Sequence, residues 1–243
     1  MKPILLLQYR TDKTRDHEQH CIANKLGITR EQLDIRNVIL EESLPTTQEL
    51  SNYLGVISGA SGQFNVTDWS PSIESAIAKT YPLMDEIINQ DFPFFAICFG
   101  HQLLAKIYGG KVERNKDRAE SGSSHIKPTS LGQASPLYQS LAPSFYASNG
   151  HKDSVIEMPP GAQLLATSEK CYIQSYQIKN NIFTAQFHPE LDNEDVRYRL
   201  NLTPEYCFGK NIDQVLAEYK DISQSGIVLK NFMTVMRERE VNF

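Results

Sequence analysis

Short apolar runs alternate with longer amphipathic stretches through the first half of the chain, and that rhythm predicts its elements. Ile4 to Gln8, Gln32 to Arg36, Tyr53 to Ser58 and Phe92 to Ile97 read as strands, with Asp16 to Leu26 and Ser72 to Asn89 as helices between them. Strands separated by helices predict a parallel sheet wound with helices on both faces. Beyond Gly110 the runs shorten. Ser144 to Ala147, Gln163 to Ala166, Tyr172 to Gln177 and Ile182 to Phe187 are strand-like and are punctuated by Gly, Pro and Asn, so this half is expected to be more antiparallel. No internal repeat or low-complexity linker divides the chain, and Gly109-Gly110 and Pro128 to Gly132 read as loops. The expectation is one α/β domain over residues 1–243, with 191–243 a mainly helical C-terminal extension. In that extension Ile227, Phe232, Met233 and Val235 are expected to pack a terminal helix back on the sheet. The charged segment from Asp192 to Asp221 reads either as a packed extension shaping a cleft mouth or as a surface for a partner.

One apolar run ends abruptly in chemistry. Phe94 to Ile97 stops at Cys98, and Gln102, Leu103, Leu104, Ala105 and Ile107 then read as a helix, which places Cys98 in the turn between them. A residue in such a turn is strained, and the positions two away must be small for strand and helix to approach; Ala96 and Gly100 meet that need. A thiol at a helix N-terminus also feels the positive end of the macrodipole, which favours the nucleophilic thiolate. A lone cysteine in an apolar strand is most often a core residue. The segment Ile182 to Glu190 changes the balance. It repeats the same grammar and ends its strand at His188 and Pro189. A histidine there can take the thiol proton and hand it to a leaving amine, provided an acid fixes its tautomer. Glu190 stands two residues on, beyond a proline that breaks the strand.

The turn Ala96-Ile97-Cys98-Phe99-Gly100-His101-Gln102 and the run Phe187-His188-Pro189-Glu190 together resemble the class I glutamine amidotransferase family. Its nucleophile turn reads Gly-x-Cys-x-Gly-x-Gln and its second motif Phe-His-Pro-Glu. The resemblance extends to Ile57-Ser58-Gly59-Ala60, to Asp68-Trp69 and to His151-Lys152-Asp153-Ser154, and the pattern is nearest to stand-alone domains of the GMP synthase glutaminase type. It implies a three-layer, mostly parallel open sheet of flavodoxin-like form with a nucleophile elbow. It implies Cys98 as nucleophile, His188 as general acid/base and Glu190 as the orienter of that histidine. Backbone N–H groups of Gly59 and Phe99 would form an oxyanion hole, and Gln102, Asn149 and His151 would hold the substrate. That substrate would be glutamine or another γ-glutamyl compound, cleaved through a γ-glutamyl thioester without a cofactor. The chain departs from the family at Ala96, where Gly is usual, and at Gly59-Ala60-Ser61, which lacks the usual proline. No Ser-Gly-Gly-Val-Asp-Ser loop of an ATP-pyrophosphatase follows, so ammonia would pass to a separate synthase subunit, or γ-glutamyl peptides would simply be hydrolysed.

Composition narrows the field further. Hydrophobic residues make up 40% of the 243, enough for a full core, and the net charge of -5 with no basic run interleaved with aromatics argues against nucleic acid. Lys111 to Arg118 reads as a solvated loop. The four cysteines show no Cys-x-x-Cys pair, so neither disulfides nor structural zinc is expected. His17-Glu18-Gln19-His20-Cys21 lacks the zincin spacing and reads as a polar face of the helix running toward Leu26, so no metal site is expected there. No phosphate-binding Gly-x-x-x-x-Gly-Lys-Ser/Thr is present. The N-terminal apolar run is too short for a signal peptide and no membrane segment is evident, which points to the cytoplasm. Two other classes stay open. A serine-hydrolase-like enzyme shares the elbow, though its acid precedes its histidine; a non-catalytic binding or regulatory domain could keep the scaffold.

Overall fold

Residues 2–40, 42–207 and 211–241 are described in the computed structural model. Residues 208–210 and 242–243, part of the expected helical extension, lie outside the described residues. In chain order the elements are β1 (Ile4–Gln8), α1 (Arg15–Leu26), β2 (Leu33–Asn37), β3 (Val56–Ser58), α2 (Pro71–Ala78), α3 (Tyr81–Asn89), β4 (Phe94–Ile97) and α4 (Phe99–Ile107). They continue with β5 (Lys111–Arg114), β6 (Glu120–Pro128), α5 (Ser130–Ala134), β7 (Phe145–His151), β8 (Asp153–Glu157), β9 (Gln163–Thr167), β10 (Ser175–Ile178) and β11 (Ile182–Ala185). The helices α6 (Asn193–Leu202), α7 (Ile212–Glu218) and α8 (Ile227–Val241) follow.

Nine strands form one sheet in the order β2-β1-β3-β4-β11-β10-β9-β6-β7, and β5 pairs with β8 in a separate ribbon. The five strands from β2 to β11 run parallel, whereas β11 to β7 run antiparallel. Alternation along the parallel strands explains the layers, because successive side chains leave a strand on opposite faces. Ile4 and Leu6 join Ile22 and Leu26 of α1 and Phe232 and Met236 of α8 in one apolar cluster. Leu5 and Leu7 join Ile77, Leu83, Ile87 and Leu104 in another. The parallel part of the sheet is therefore covered on both faces, and its central strands β1, β3, β4 and β11 are mainly apolar. The architecture is α/β, as the apolar rhythm implies.

Three expectations need correction. Ser72 to Asn89 is not one helix: α2 and α3 are separate, with Pro82 in the first turn of the second. Proline has no N–H to give to the carbonyl of Ala78 and its ring clashes there, so a continuous helix is broken. Lys111 to Arg118 is not all loop, since Lys111–Arg114 pairs antiparallel with β8. Pro128 to Gly132 is not a loop, since Pro128 closes β6 and Ser130–Ala134 forms α5. The longest strand, β6, has no counterpart among the expected runs. Its sequence, Glu-Ser-Gly-Ser-Ser-His-Ile-Lys-Pro, has no apolar alternation, and it is held by pairing over Glu120 to Ile126 with β7. Among the described residues no helix is long and apolar enough to cross a membrane.

Candidate active site

The carboxyl ends of β1, β3, β4 and β11 lie side by side because these strands are parallel neighbours, and each delivers one residue to the same edge. Beyond β1 comes Arg10, beyond β3 Gly59, beyond β4 Cys98 and beyond β11 His188. Cys98 has φ 47°, in the left-handed region, and its N–H donates to the Ala185 carbonyl at 2.7 Å. A non-glycine residue held there is strained, and here the strain aims the side chain out of the strand line. Gly100 makes the turn possible. A Cβ on it would sit 2.6 Å from Ser58 Oγ and 2.7 Å from the Ser58 carbonyl oxygen. Gly100→Ala is therefore expected to force α4 away from β3 and destabilise the fold by about 1–3 kcal/mol, read as a lowered Tm.

His188 is buried, and its N–H donates to the Ser148 carbonyl at 2.9 Å, which ties its loop to β7. Its Nδ1 lies 2.8 Å from Glu190 Oε1, leaving Nε2 for the Cys98 sulfur, whose charge also acts on the ring. Burial opposes charge on this imidazole, but the Glu190 carboxylate and Cys98 more than offset it and raise its pKa to about 9. Burial likewise opposes charge on Glu190; His188 and Arg199 outweigh it and lower its pKa to about 2. Gln186 Nε2 donates to Cys98 Sγ at 3.6 Å. The structure thus brings together Cys98, His188 and Glu190, the cysteine about ninety residues of chain from the other two, with His188 hydrogen-bonded to Glu190.

The other expected site residues divide. Gly59 does not present its N–H to the nucleophile: that group donates to Leu7 O at 2.9 Å, continuing the β1–β3 ladder, while the Gly59 carbonyl accepts from Gly100 N at 3.2 Å. The next N–H, of Ala60, donates to Glu18 Oε1 at 3.0 Å. Phe99 opens α4, so its N–H has no intrahelical acceptor and remains a donor beside Cys98. Gln102 turns inward, its Nε2 donating to Asp153 O at 2.7 Å and Gln186 Oε1 at 3.0 Å. His151 is also committed, with Nδ1 2.9 Å from Asp153 O and Nε2 3.1 Å from Glu120 Oε2. Of the three expected substrate contacts only Asn149 lines a cleft. That cleft, about 120 Å³, adjoins His188 and is walled by Arg10, Asn149, Leu191, Val196, Leu200 and Tyr219 among others.

Sequence reading missed the charged frame behind this line. Glu18 and Gln19 are buried, not solvated, because α1 turns this face onto the loop after β1. Glu18 Oε1 accepts from Arg10 Nε at 3.1 Å, and Arg10 Nη1 donates to Thr14 Oγ1 at 3.0 Å. Arg199 of α6 donates from Nη2 to Glu190 Oε1 and from Nε to His17 Nδ1, both at 3.3 Å. His17, Cys21 and Asp195 bring possible ligand atoms within 4.8 Å of one another, but Arg199 already meets His17 and Lys25 Nζ lies 3.6 Å from Asp195. The cluster is thus neutralised by cations of the chain. A second group, Glu120, His151 and Cys171, is knitted by the Glu120–His151 contact and by donation from Ser168 to Glu120 at 2.8 Å. Position alone could have flagged Arg10, which follows a parallel strand's carboxyl end.

Comparison with known proteins shows the family. The family model "Glutamine amidotransferase class-I" matches residues 24–199. The chain belongs to the class I glutamine amidotransferase family. Among members of this amidotransferase family, γ-glutamyl peptidase 4 of Arabidopsis thaliana is 30% identical over 218 residues, covering 85% of this chain and 79% of that protein. A subunit of the glutamine-hydrolysing GMP synthase of Sulfurisphaera tokodaii is 34% identical over 125 residues, covering 51% of this chain and 64% of that protein. A solved glutamine amidotransferase from Thermotoga maritima superposes with a TM-score of 0.72 at 20% identity, covering 99% of this chain and 98% of that one. The fold is therefore the flavodoxin-like one of class I amidotransferases.

Proposed function

We propose that the chain hydrolyses the γ-amide bond of γ-glutamyl compounds, with an amine larger than ammonia as leaving group. The observation that carries this is the line Cys98–His188–Glu190 placed at the edge of an open cleft that His188 adjoins. In the proposed reaction the Cys98 thiol gives its proton to His188 Nε2 and its sulfur bonds to the γ-carbonyl carbon. The resulting oxyanion is met by the Phe99 N–H, a donor type worth about 3–4 kcal/mol in the transition state. His188 then protonates the amine nitrogen as the C–N bond breaks, leaving a γ-glutamyl thioester. Water attacks that thioester while His188 takes its proton, and glutamate departs as the proton returns to sulfur. Glu190 holds the histidine ring throughout and stabilises its charged form.

Similarity to the plant γ-glutamyl peptidase runs along most of both chains, which supports hydrolysis of peptides. A second reading, a glutaminase passing ammonia to a separate synthase subunit, draws on the similarity to GMP synthase subunits, which extends over 51% to 70% of this chain. Glutamate release separates the two. Incubated with glutamine or with γ-glutamyl dipeptides, the purified chain is expected to release glutamate faster from the dipeptides. Release from glutamine alone would favour the ammonia donor, and release from neither would sink the enzyme reading.

A further inference from the structure

We propose that the cleft outside His188 is a subsite for an apolar amino acid leaving group that carries a free carboxylate, so that dipeptides of the γ-glutamyl-leucine kind are the substrates. This rests on the γ-glutamyl hydrolase reading above. The cleft is bordered by His188 but not by Cys98, Gly59 or Phe99. The nitrogen that His188 protonates belongs to the leaving group, so whatever that nitrogen carries extends into this space, while the glutamyl part lies on the sulfur side.

Size, lining and charge then specify the occupant. A water-sized molecule such as ammonia needs about 30 Å³, and a cavity of about 150 Å³ accepts benzene. At about 120 Å³ the cleft fits an aliphatic side chain. Its outer wall is Leu191, Val196, Leu200 and Val215, contributed by α6, α7 and the loop before them. Among the described residues no Asp or Glu lines it, whereas Arg10 and Arg199 do. Each guanidinium uses Nε and one Nη on protein acceptors, and the other Nη meets none among the described residues. An amino acid has its carboxylate and its side chain on one carbon, which suits a site lined by both cations and apolar side chains.

An independent observation points to a ligand as well. Asn149 is 3% exposed and lines the cleft, yet neither its Oδ1 nor its Nδ2 has a partner among the described residues. Buried amides are almost always paired. A side chain that both donates and accepts complements the peptide unit and carboxylate of such a substrate.

The test compares kcat/KM for γ-glutamyl-leucine, γ-glutamyl-glycine and γ-glutamyl-leucinamide, following glutamate. The leucine dipeptide is expected to exceed the glycine one by about tenfold or more, the discrimination an apolar pocket provides, and to exceed the amide, which lacks the carboxylate. Val215→Asp is expected to bring the leucine-to-glycine ratio toward one; a ratio cancels any loss of folded protein, and Val215 is only half-buried. Cleavage of all three at equal rates overturns the subsite while leaving the hydrolase reading intact. Leucinamide cleaved as well as leucine also overturns it. Glutamate from none of them overturns the reading and the subsite together.

Discussion

Replacing Cys98 by alanine is expected to lower glutamate release from a γ-glutamyl dipeptide by about 10⁴-fold or more, the scale of loss when a nucleophile that acts as a unit with its base is removed. The physical reason is that the other three cysteines, Cys21, Cys171 and Cys207, are buried and none lines the cleft beside His188. Cys21 is buried against Asp195, and burial pushes its pKa far up, so it is neither ionised nor near the substrate. Burial likewise raises the Cys171 thiol, to about 12. The fold should survive the change, because alanine keeps the Cβ and the backbone strain at φ 47° is the same for both residues. The expected signature is unchanged circular dichroism with activity near background. Activity above about 1% of the parent, far more than loss of a nucleophile permits, would place the nucleophile elsewhere.

Glu190→Gln is expected to cost about 10⁴-fold in kcat, by analogy with removing the charge of a triad acid while keeping its shape. It should also move the pH profile, and the sign follows from the environment. His188 must carry a proton to release the amine, and with its pKa raised to about 9 the parent activity should fall as pH rises through that value. Once the carboxylate is neutral, burial dominates and lowers the imidazole pKa, so the alkaline limb shifts toward neutral pH. The acid limb should not report Glu190, whose pKa near 2 keeps it ionised through ordinary assay conditions. Measuring kcat/KM across the alkaline and acid limbs checks both, and an alkaline limb unmoved in the variant would mean that Glu190 does not hold the proton on His188. Arg199, which donates to Glu190 at 3.3 Å, loses a charge partner in the same variant, so a lowered Tm is expected alongside.

The nucleophile and its histidine are legible in the amino-acid order. Cys98 and His188 each end an apolar strand, and a strand's end is visible wherever period-two or fully apolar runs stop at a small residue or a proline. The parallel strands β1, β3, β4 and β11 are legible for the same reason, since burial on both faces leaves a local imprint. The oxyanion loop is legible only in part: Gly59 sits beside the nucleophile turn, but its N–H continues the ladder to Leu7. Which way a peptide plane faces depends on its neighbours, not on its own residue type.

What the amino-acid order determined by itself was the α/β rhythm and the strand-to-helix turn at Cys98, because each rests on interactions within a few residues, whereas the pairing of His188 with Glu190 was implied by the family resemblance. The tertiary structure alone decided the rest. Strand β6 is made by pairing with β7, since its polar residues carry no period of their own. Glu18 became a buried partner of Arg10, Arg199 became the support of Glu190, and Gln102 and His151 turned inward to backbone and side-chain partners, several of them far along the chain. The cleft walls come from α6 and α7 packed beside a turn that follows β11. Charge pairs and cavities join residues distant in sequence, and such contacts leave no periodic trace in the chain.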